Sequence, residues 1–359
     1  MFRNTPILHF LTVFSLLALI LVPLQPATAE ELHVRITQVD NSGFPQVTVY
    51  VSVTDENGEP VGVSPSSLQL FEDGELMQPD QISGEGEVGR ITTLLIMDLS
   101  GSMRRGGKLD AAKNAAKAYI AQLRPGDQAG LIAFNVETMT LQPITSDRAS
   151  LDSAVDRLTA EDDTAMYDAL LEGIKSLENV SGRKAIILLS DGYDNRSTNQ
   201  LQDVLAAVES GSLSISTIGL GDPANEWTLY GLDEEALQTL AESAGGLYGT
   251  ASDSQSLQAL YESYGRALQS EYRIMYTSPS TLRDGINRTL TITLADAGNV
   301  TSAETRYNPG GVLPEVSERS WTIFGAGLIV LITMAVIPGA IGSITASAKR
   351  KRRPHIRLK

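Results

Sequence analysis

The sequence predicts an α/β fold: a doubly wound, mostly parallel sheet inserted in a β-sandwich, followed by one C-terminal transmembrane helix. Three observations predict it. From about Arg90 to Leu268, apolar runs of strand length alternate with amphipathic helical stretches, the pattern of a parallel sheet covered on both faces. On either side of that region the hydrophobic period falls to two residues, as in half-buried strands. Near the end of the chain, Trp321 to Ala348 carries no charge and is long enough to cross a bilayer with some tilt.

Taken in order, residues 1–29 read as a secretory signal: Arg3 supplies a positive start, Ile7 to Leu24 an apolar core, and Ala27-Thr28-Ala29 a cleavage site before Glu30. Left uncleaved, the same stretch is a membrane anchor. Residues 30–88 form the first part of the sandwich. Leu32, Val34 and Ile36 alternate with polar residues, as do Val47, Val49, Val51 and Val53 with Thr48, Tyr50, Ser52 and Thr54. Asp55-Glu56-Asn57-Gly58 is a hairpin-type turn, and Leu68 to Phe71 ends in the turn Glu72-Asp73-Gly74. Three or four such strands alone make a poor core.

Residues 90–269 form the α/β domain. Its strands are predicted at Thr92–Met97, Gln128–Phe134, Lys184–Leu189 and Leu213–Ile218, with weaker ones at Thr138–Leu141 and Leu247–Thr250. Helical stripes run through Leu109, Ala112, Ala116, Ile120 and Leu123, through Leu170, Ile174 and Leu177, and through Leu201, Val204, Leu205 and Val208. Asp147, Thr164 and Asp253 are helix starts; Gly211 and Gly245-Gly246 are stops. Residues 270–308 return to strands: Tyr272, Ile274 and Tyr276, then Leu290, Ile292 and Leu294, then a short one near Ala303–Tyr307. Pairing them with residues 30–88 gives one sandwich of six or seven strands. Two separate clusters would leave open edges and thin cores. Residues 309–320 are a linker, 321–348 the span with a bend at Pro338, and 349–359 a basic tail. Lys349-Arg350-Lys351-Arg352-Arg353 puts that tail in the cytoplasm and the bulk of the chain outside the cell membrane.

Composition removes several function classes. With no cysteine there is no disulfide framework, thiolate nucleophile or Cys-based zinc site. Of the three histidines, only His33 falls in the outer folded part, so Ser-His-Asp and His-metal chemistry lack raw material. All 43 acidic residues lie between Glu30 and Ser320. Eight of the 28 basic residues, Arg3 and seven in the tail, lie outside that span, which leaves it a net charge of −23. Nucleic acid and anionic lipid are poor partners for such a surface. Asn179, Asn195, Asn287 and Asn299 begin Asn-x-Ser/Thr triplets that read as chance in a cysteine-free secreted chain.

The densest chemistry is at Leu94-Leu95-Ile96-Met97-Asp98-Leu99-Ser100-Gly101-Ser102, where a buried strand runs into a loop with one carboxylate and two hydroxyls. The carboxyl ends of strands are where open α/β sheets place ligands. Asp191 follows the apolar strand Ala185–Leu189 in an equivalent position, and Thr164 precedes the helix of Ala165–Val180. Asp98, Ser100, Ser102, Thr164 and Asp191 are thus candidate ligands for a hard divalent cation, Mg²⁺ first, with Mn²⁺ or Ca²⁺ as alternatives. Turn and cap chemistry also accounts for the Asp-Ser-Ser set taken alone. A phosphate-binding loop is excluded, since Gly101 and Gly106 have the spacing but Gly107 stands where lysine belongs. No Gly-x-Ser-x-Gly elbow surrounds either serine. Asp191 and Asp194 form a carboxylate pair, but a metal loop explains the first and a helix lead-in the second, so no enzymatic activity is expected.

These five residues, in this order and spacing, resemble the metal-ion-dependent adhesion site of von Willebrand factor A (VWA) domains, and the resemblance covers residues 90–269. It implies that Ser100, Ser102 and Thr164 touch the metal directly and that Asp98 and Asp191 act mostly through water. An Asp or Glu carboxylate of a protein partner then takes the open position. It also implies that the last helix of the domain, Ser254–Leu268, can shift when a ligand engages. One departure is the run Glu161-Asp162-Asp163, where the family often has glycine before the threonine. The run either strengthens cation binding, repels acidic ligands, or is a solvated helix lead-in. Leu313-Pro314-Glu315-Val316-Ser317 is similar to a sortase sorting signal but departs from it at the fourth and fifth positions. The expected function is a membrane-anchored extracytoplasmic protein that binds a protein partner through its cation. The alternative is a constitutive assembly subunit of an envelope complex in which metal only stabilises. The oligomeric state is left open.

Overall fold

The computed structural model describes residues 32–84, 88–161, 163–221, 232–295, 300–311 and 325–331. The predicted signal (1–29), the tail (349–359) and most of the linker and span lie outside these. Among the described residues no helix is long and apolar enough to cross a membrane. Of the predicted span, only 325–331 are described, as helix.

Five strands come first: β1 (His33–Asp40), β2 (Gln46–Thr54), β3 (Leu68–Glu72), β4 (Glu75–Leu76) and β5 (Pro79–Ser83). The α/β unit follows, with strands β6 (Ile91–Asp98), β7 (Gln128–Phe134), β8 (Thr138–Thr145), β9 (Arg183–Ser190), β10 (Ser214–Leu220) and β11 (Tyr248–Ala251). Its helices are α1 (Lys108–Gln122), α2 (Arg148–Asp156), α3 (Met166–Leu177), α4 (Leu201–Gly211), α5 (Glu234–Ser243) and α6 (Ser254–Gln269). Strands β12 (Tyr272–Thr277), β13 (Arg288–Leu294), β14 (Val300–Thr301) and β15 (Thr305–Tyr307) complete the described fold.

The alternating valines of β2 and the Tyr272, Ile274, Tyr276 face of β12 meet in one four-stranded antiparallel sheet of order β1-β2-β12-β5. A second sheet of order β14-β13-β3-β4, with β15 also on β13, faces it. One core joins them: Val34, Val47, Val49 and Val51 from one sheet pack with Leu70, Leu290 and Ile292 from the other. Among the described residues the two sheets hold nine strands, more than the six or seven expected from the pattern. The additional ones, β4, β5 and β14, are too short or too polar to show a two-residue period, and pairing with a neighbour holds each in place. The α/β unit leaves from β5 and returns into β12, and these two strands pair antiparallel, with Ile82 opposite Ile274. The two ends of the unit therefore lie side by side.

In the α/β unit the sheet order is β11-β10-β9-β6-β7-β8, parallel except for β8, which runs antiparallel to β7. Every residue of β6 and β9 is buried, as their continuous apolar runs require. One face packs on α1, α2 and α6 through Ala112, Ala116, Leu151, Leu257 and Tyr261. The other packs on α3, α4 and α5 through Leu170, Ile174, Val204 and Leu237. Gly173 on α3 matters by its lack of a side chain: a Cβ there would lie 2.6 Å from Ile96 Cδ1. Asp147 and Asp253 cap α2 and α6 by accepting from Ala149 and Ser256 amides. Thr164 does not start a helix. The N-cap is Ala165, and the free amides of α3 are satisfied from another loop, Tyr167 N–H by Asp194 at 2.9 Å and Asp168 N–H by Ser197 at 3.1 Å.

Candidate metal centre

Strand β6 is flanked by β9 on one side and β7 on the other, so the chain departs from it in opposite directions. Such a switch point opens a crevice beyond the carboxyl ends of the strands. Asp98 is the last residue of β6 and Asp191 the first after β9. Both are buried, and Asp98 is fully so.

Hydrogen bonds close the site from three loops. Asp98 Oδ1 accepts from the Ser100 amide at 2.7 Å, which bends the loop back on its own strand. Its Oδ2 accepts from the Ser190 hydroxyl, also at 2.7 Å, across the β6–β9 pair. Ser102 donates to Asp191 Oδ1 at 2.6 Å, Ser100 lies 3.4 Å from the same oxygen, and the two serine hydroxyls are 2.9 Å apart. Asp98, Ser100, Ser102 and Asp191 are thus brought together. Thr164, which is buried, joins through its main chain: its N–H donates to Asn195 Oδ1 and its carbonyl accepts from the Asn195 and Arg196 amides. Among the described residues no hydrogen bond links the Thr164 hydroxyl to the other four. Its loop is tied to theirs by Glu161 N–H to Leu99 O at 2.7 Å, and to the β7–β8 turn by Ala165 N–H to Asn135 O at 2.7 Å.

Three contributors are not in the predicted set. Ser190 orients Asp98; it was readable only as the residue before Asp191. Asn195 holds Thr164, and no local pattern announces it. Lys108 places its ammonium 2.6 Å from Asp191 Oδ2. It gets there because Gly106 and Gly107 both adopt positive φ, +62° and +74°, turning the chain so that α1 begins against Asp191. Asp194, expected at a helix lead-in, instead serves the start of α3. Of the acidic run before Thr164, Asp163 pairs with Arg196, Glu161 is exposed, and Asp162 lies outside the described residues.

Electrostatically the pocket favours positive charge. Burial, and then the neighbouring Asp191 carboxylate, push the Asp98 carboxyl up to about 6, against the hydrogen bonds from Ser190 and Ser100. Lys108 is the cation that answers Asp191. Among the described residues no three His, Cys, Asp or Glu side chains converge as a metal set; this cluster has two carboxylates and takes its other donors from hydroxyls. Such an all-oxygen set fits a small hard cation that keeps some of its own waters. Exposed Tyr193 and Val136 belong to the loops that follow Asp191 and β7.

Residues 93–193, within the α/β unit, match the family model of the von Willebrand factor type A domain. A UPF0353 protein of Mycolicibacterium gilvum is 28% identical over 196 residues, which cover 48% of this chain and 58% of that protein. A UPF0353 protein of Mycobacterium tuberculosis is 27% identical over 198 residues, covering 48% and 59%. The chain thus spans about three fifths of the length of these curated relatives. Among solved structures, a von Willebrand factor type A protein from Catenulispora acidiphila aligns with TM-score 0.46 and 16% identity over 80% of this chain and 78% of that one. A conserved hypothetical protein BatB from Bacteroides thetaiotaomicron aligns with TM-score 0.41 and 22% identity over 50% and 100%. Proximal thread matrix protein 1 from the mussel byssus, with a zinc-occupied MIDAS motif, aligns with TM-score 0.46 and 18% identity over 55% and 49%.

Proposed function

We infer that this chain, whose α/β unit matches the VWA family model over residues 93–193, captures a partner through a divalent cation, with Mg²⁺ the expected occupant. One observation carries this reading: two buried carboxylates from adjacent strands, Asp98 and Asp191, converge with the Ser100 and Ser102 hydroxyls at the switch point of the sheet. Ser100, Ser102 and Thr164 would hold the cation directly, and Asp98 and Asp191 would hold it through water. The cation supplies an electrophilic position for an Asp or Glu carboxylate of the partner. The chain's own residues do the rest: Ser190 and the Ser100 amide keep Asp98 aimed, and the 161–165 loop, fastened to Leu99 and Asn135, brings up Thr164. The protein stands outside the cell, held by the 321–348 span with residues 349–359 in the cytoplasm; the uncharged span and the basic run after it support this. No catalytic role is part of this reading.

Calorimetric titration of the full chain in detergent with Mg²⁺, wild type against Asp98→Ala, tests the core claim. Micromolar-to-millimolar binding by the wild type and at least tenfold weaker binding by the variant is the expected result; equal binding sinks the reading. Chelator then separates capture from a constitutive assembly role. Loss of crosslinking to the partner on chelation supports capture, whereas a lowered Tm with crosslinking intact supports the assembly role.

A further inference from the structure

We propose that Lys108 sets the charge of this centre, giving up affinity for the cation in exchange for affinity for the incoming carboxylate. The proposal rests on the cation reading above. The two oxygens of Asp191 are divided: Oδ1 receives Ser102 at 2.6 Å and Ser100 at 3.4 Å, while Oδ2 receives the Lys108 ammonium at 2.6 Å. Lys108 therefore binds the oxygen turned away from the serines and leaves the hydroxyl side of the carboxylate to the metal and its waters. It orients Asp191 and adds a fixed positive charge behind it.

Two features mark this as more than a surface ion pair. The Asp191 side chain has no exposure, whereas the Lys108 side chain keeps 29%, so its charge is felt at the mouth of the site as well as inside. Lys108 is also the first residue of α1, where the helix dipole favours negative charge and disfavours an ammonium. A residue that breaks the local rule needs a compensating partner, and the buried carboxylate is that partner. In charge terms, two carboxylates and one ammonium leave a single negative charge, and a divalent cation converts it to a single positive one. Without Lys108 the loaded site is neutral. An anionic ligand is drawn to the first and indifferent to the second, while the cation itself prefers the site without the lysine.

The two effects have opposite signs, which a purely structural role does not produce. In the full chain, Lys108→Met keeps the aliphatic stem and removes the charge. Calorimetry with Mg²⁺ alone is expected to show about tenfold tighter binding by the variant. Trifluoroacetate, followed by fluorine NMR on the Mg²⁺-saturated protein, is expected to bind about tenfold more weakly. Lys108→Arg should restore both values, and an unchanged circular dichroism spectrum guards against misfolding. If the wild type binds no Mg²⁺, the cation reading itself falls. If it binds Mg²⁺ but Lys108→Met changes neither constant, changes only one, or weakens both, the charge-setting role is overturned and the cation reading stands.

Discussion

Asp98 is held by two hydrogen bonds that favour its charged form, yet burial beside Asp191 outweighs them and moves its carboxyl from 3.8 to about 6. The sign of the consequence follows from linkage. A carboxyl whose folded pKa is raised binds its proton more tightly in the folded state, so its contribution favours folding below the unfolded pKa. That contribution is lost as pH rises through the folded pKa. In chelator, Asp98 should therefore cost the protein about 3 kcal/mol between pH 4 and 7. Urea unfolding of Asp98→Asn checks this: the variant should gain on the wild type by that amount across the interval. On the proposed reading cation binding runs the other way, since a bound cation would require the carboxylate. Mg²⁺ affinity of the wild type should fall about tenfold per pH unit below 6.

At the scale of elements, the seam between the α/β unit and the sandwich depends on how closely backbones approach. Gly246 packs against the main chain of β10, and an added Cβ would run into the Ile215 carbonyl oxygen. Gly245 has φ +66°, and a Cβ there would run into the Ile36 carbonyl of β1, in the sandwich. Backbone cannot yield as a flexible side chain does, so Gly245→Ala combines left-handed strain with a collision between the α/β unit and β1. The expected loss is about 2 kcal/mol or more of unfolding free energy. Hydrogen exchange should show it as faster opening of β1 and of the α5–β11 loop, and Mg²⁺ affinity should stay as in the wild type. The site is at the other end of the strands, so a large change in affinity would contradict this separation.

Across the whole molecule, the α/β unit is joined to the sandwich by more than its two connections. Gln38 of β1 bonds to Gly182 O and Lys184 N–H at the start of β9, and Glu59 pairs with Arg266 of α6. The strongest link is buried. Arg183 pairs with Glu271, reaches the Leu268 carbonyl at the end of α6, and stacks over Tyr50 of β2, with the charged side chains only 2% and 4% exposed. Removing one partner strands the other charge, so Arg183→Met or Glu271→Gln should each cost about 3–5 kcal/mol in urea unfolding. The double variant Arg183→Met/Glu271→Leu should recover most of that loss, because well-packed apolar groups replace a buried pair at little cost. A double variant as weak as the sum of the singles would refute this account.

How much of this was legible beforehand depends on the range of the interaction. Strands and helices with a strong period were readable from local pattern: β7 spans the residues read as Gln128–Phe134, and α6 starts at the Asp253 cap. Backbone geometry sets such periods within a few residues, so a local pattern is enough. It also picked out Asp98, Ser100, Ser102 and Asp191, because strand ends in a parallel sheet are places where polar residues interrupt apolar runs. Which of these groups meet was set by the folded packing. That β5 lies against β12, that Asp194 caps α3, that Ser190 holds Asp98 and that Lys108 reaches Asp191 are contacts between residues 27 to nearly 200 positions apart. In the unfolded chain such groups meet only at the cost of closing long loops. No local rule encodes that closure; the packing of the whole sheet supplies it, and it turned Lys108, which reads locally as an ordinary helix residue, into a neighbour of the candidate site.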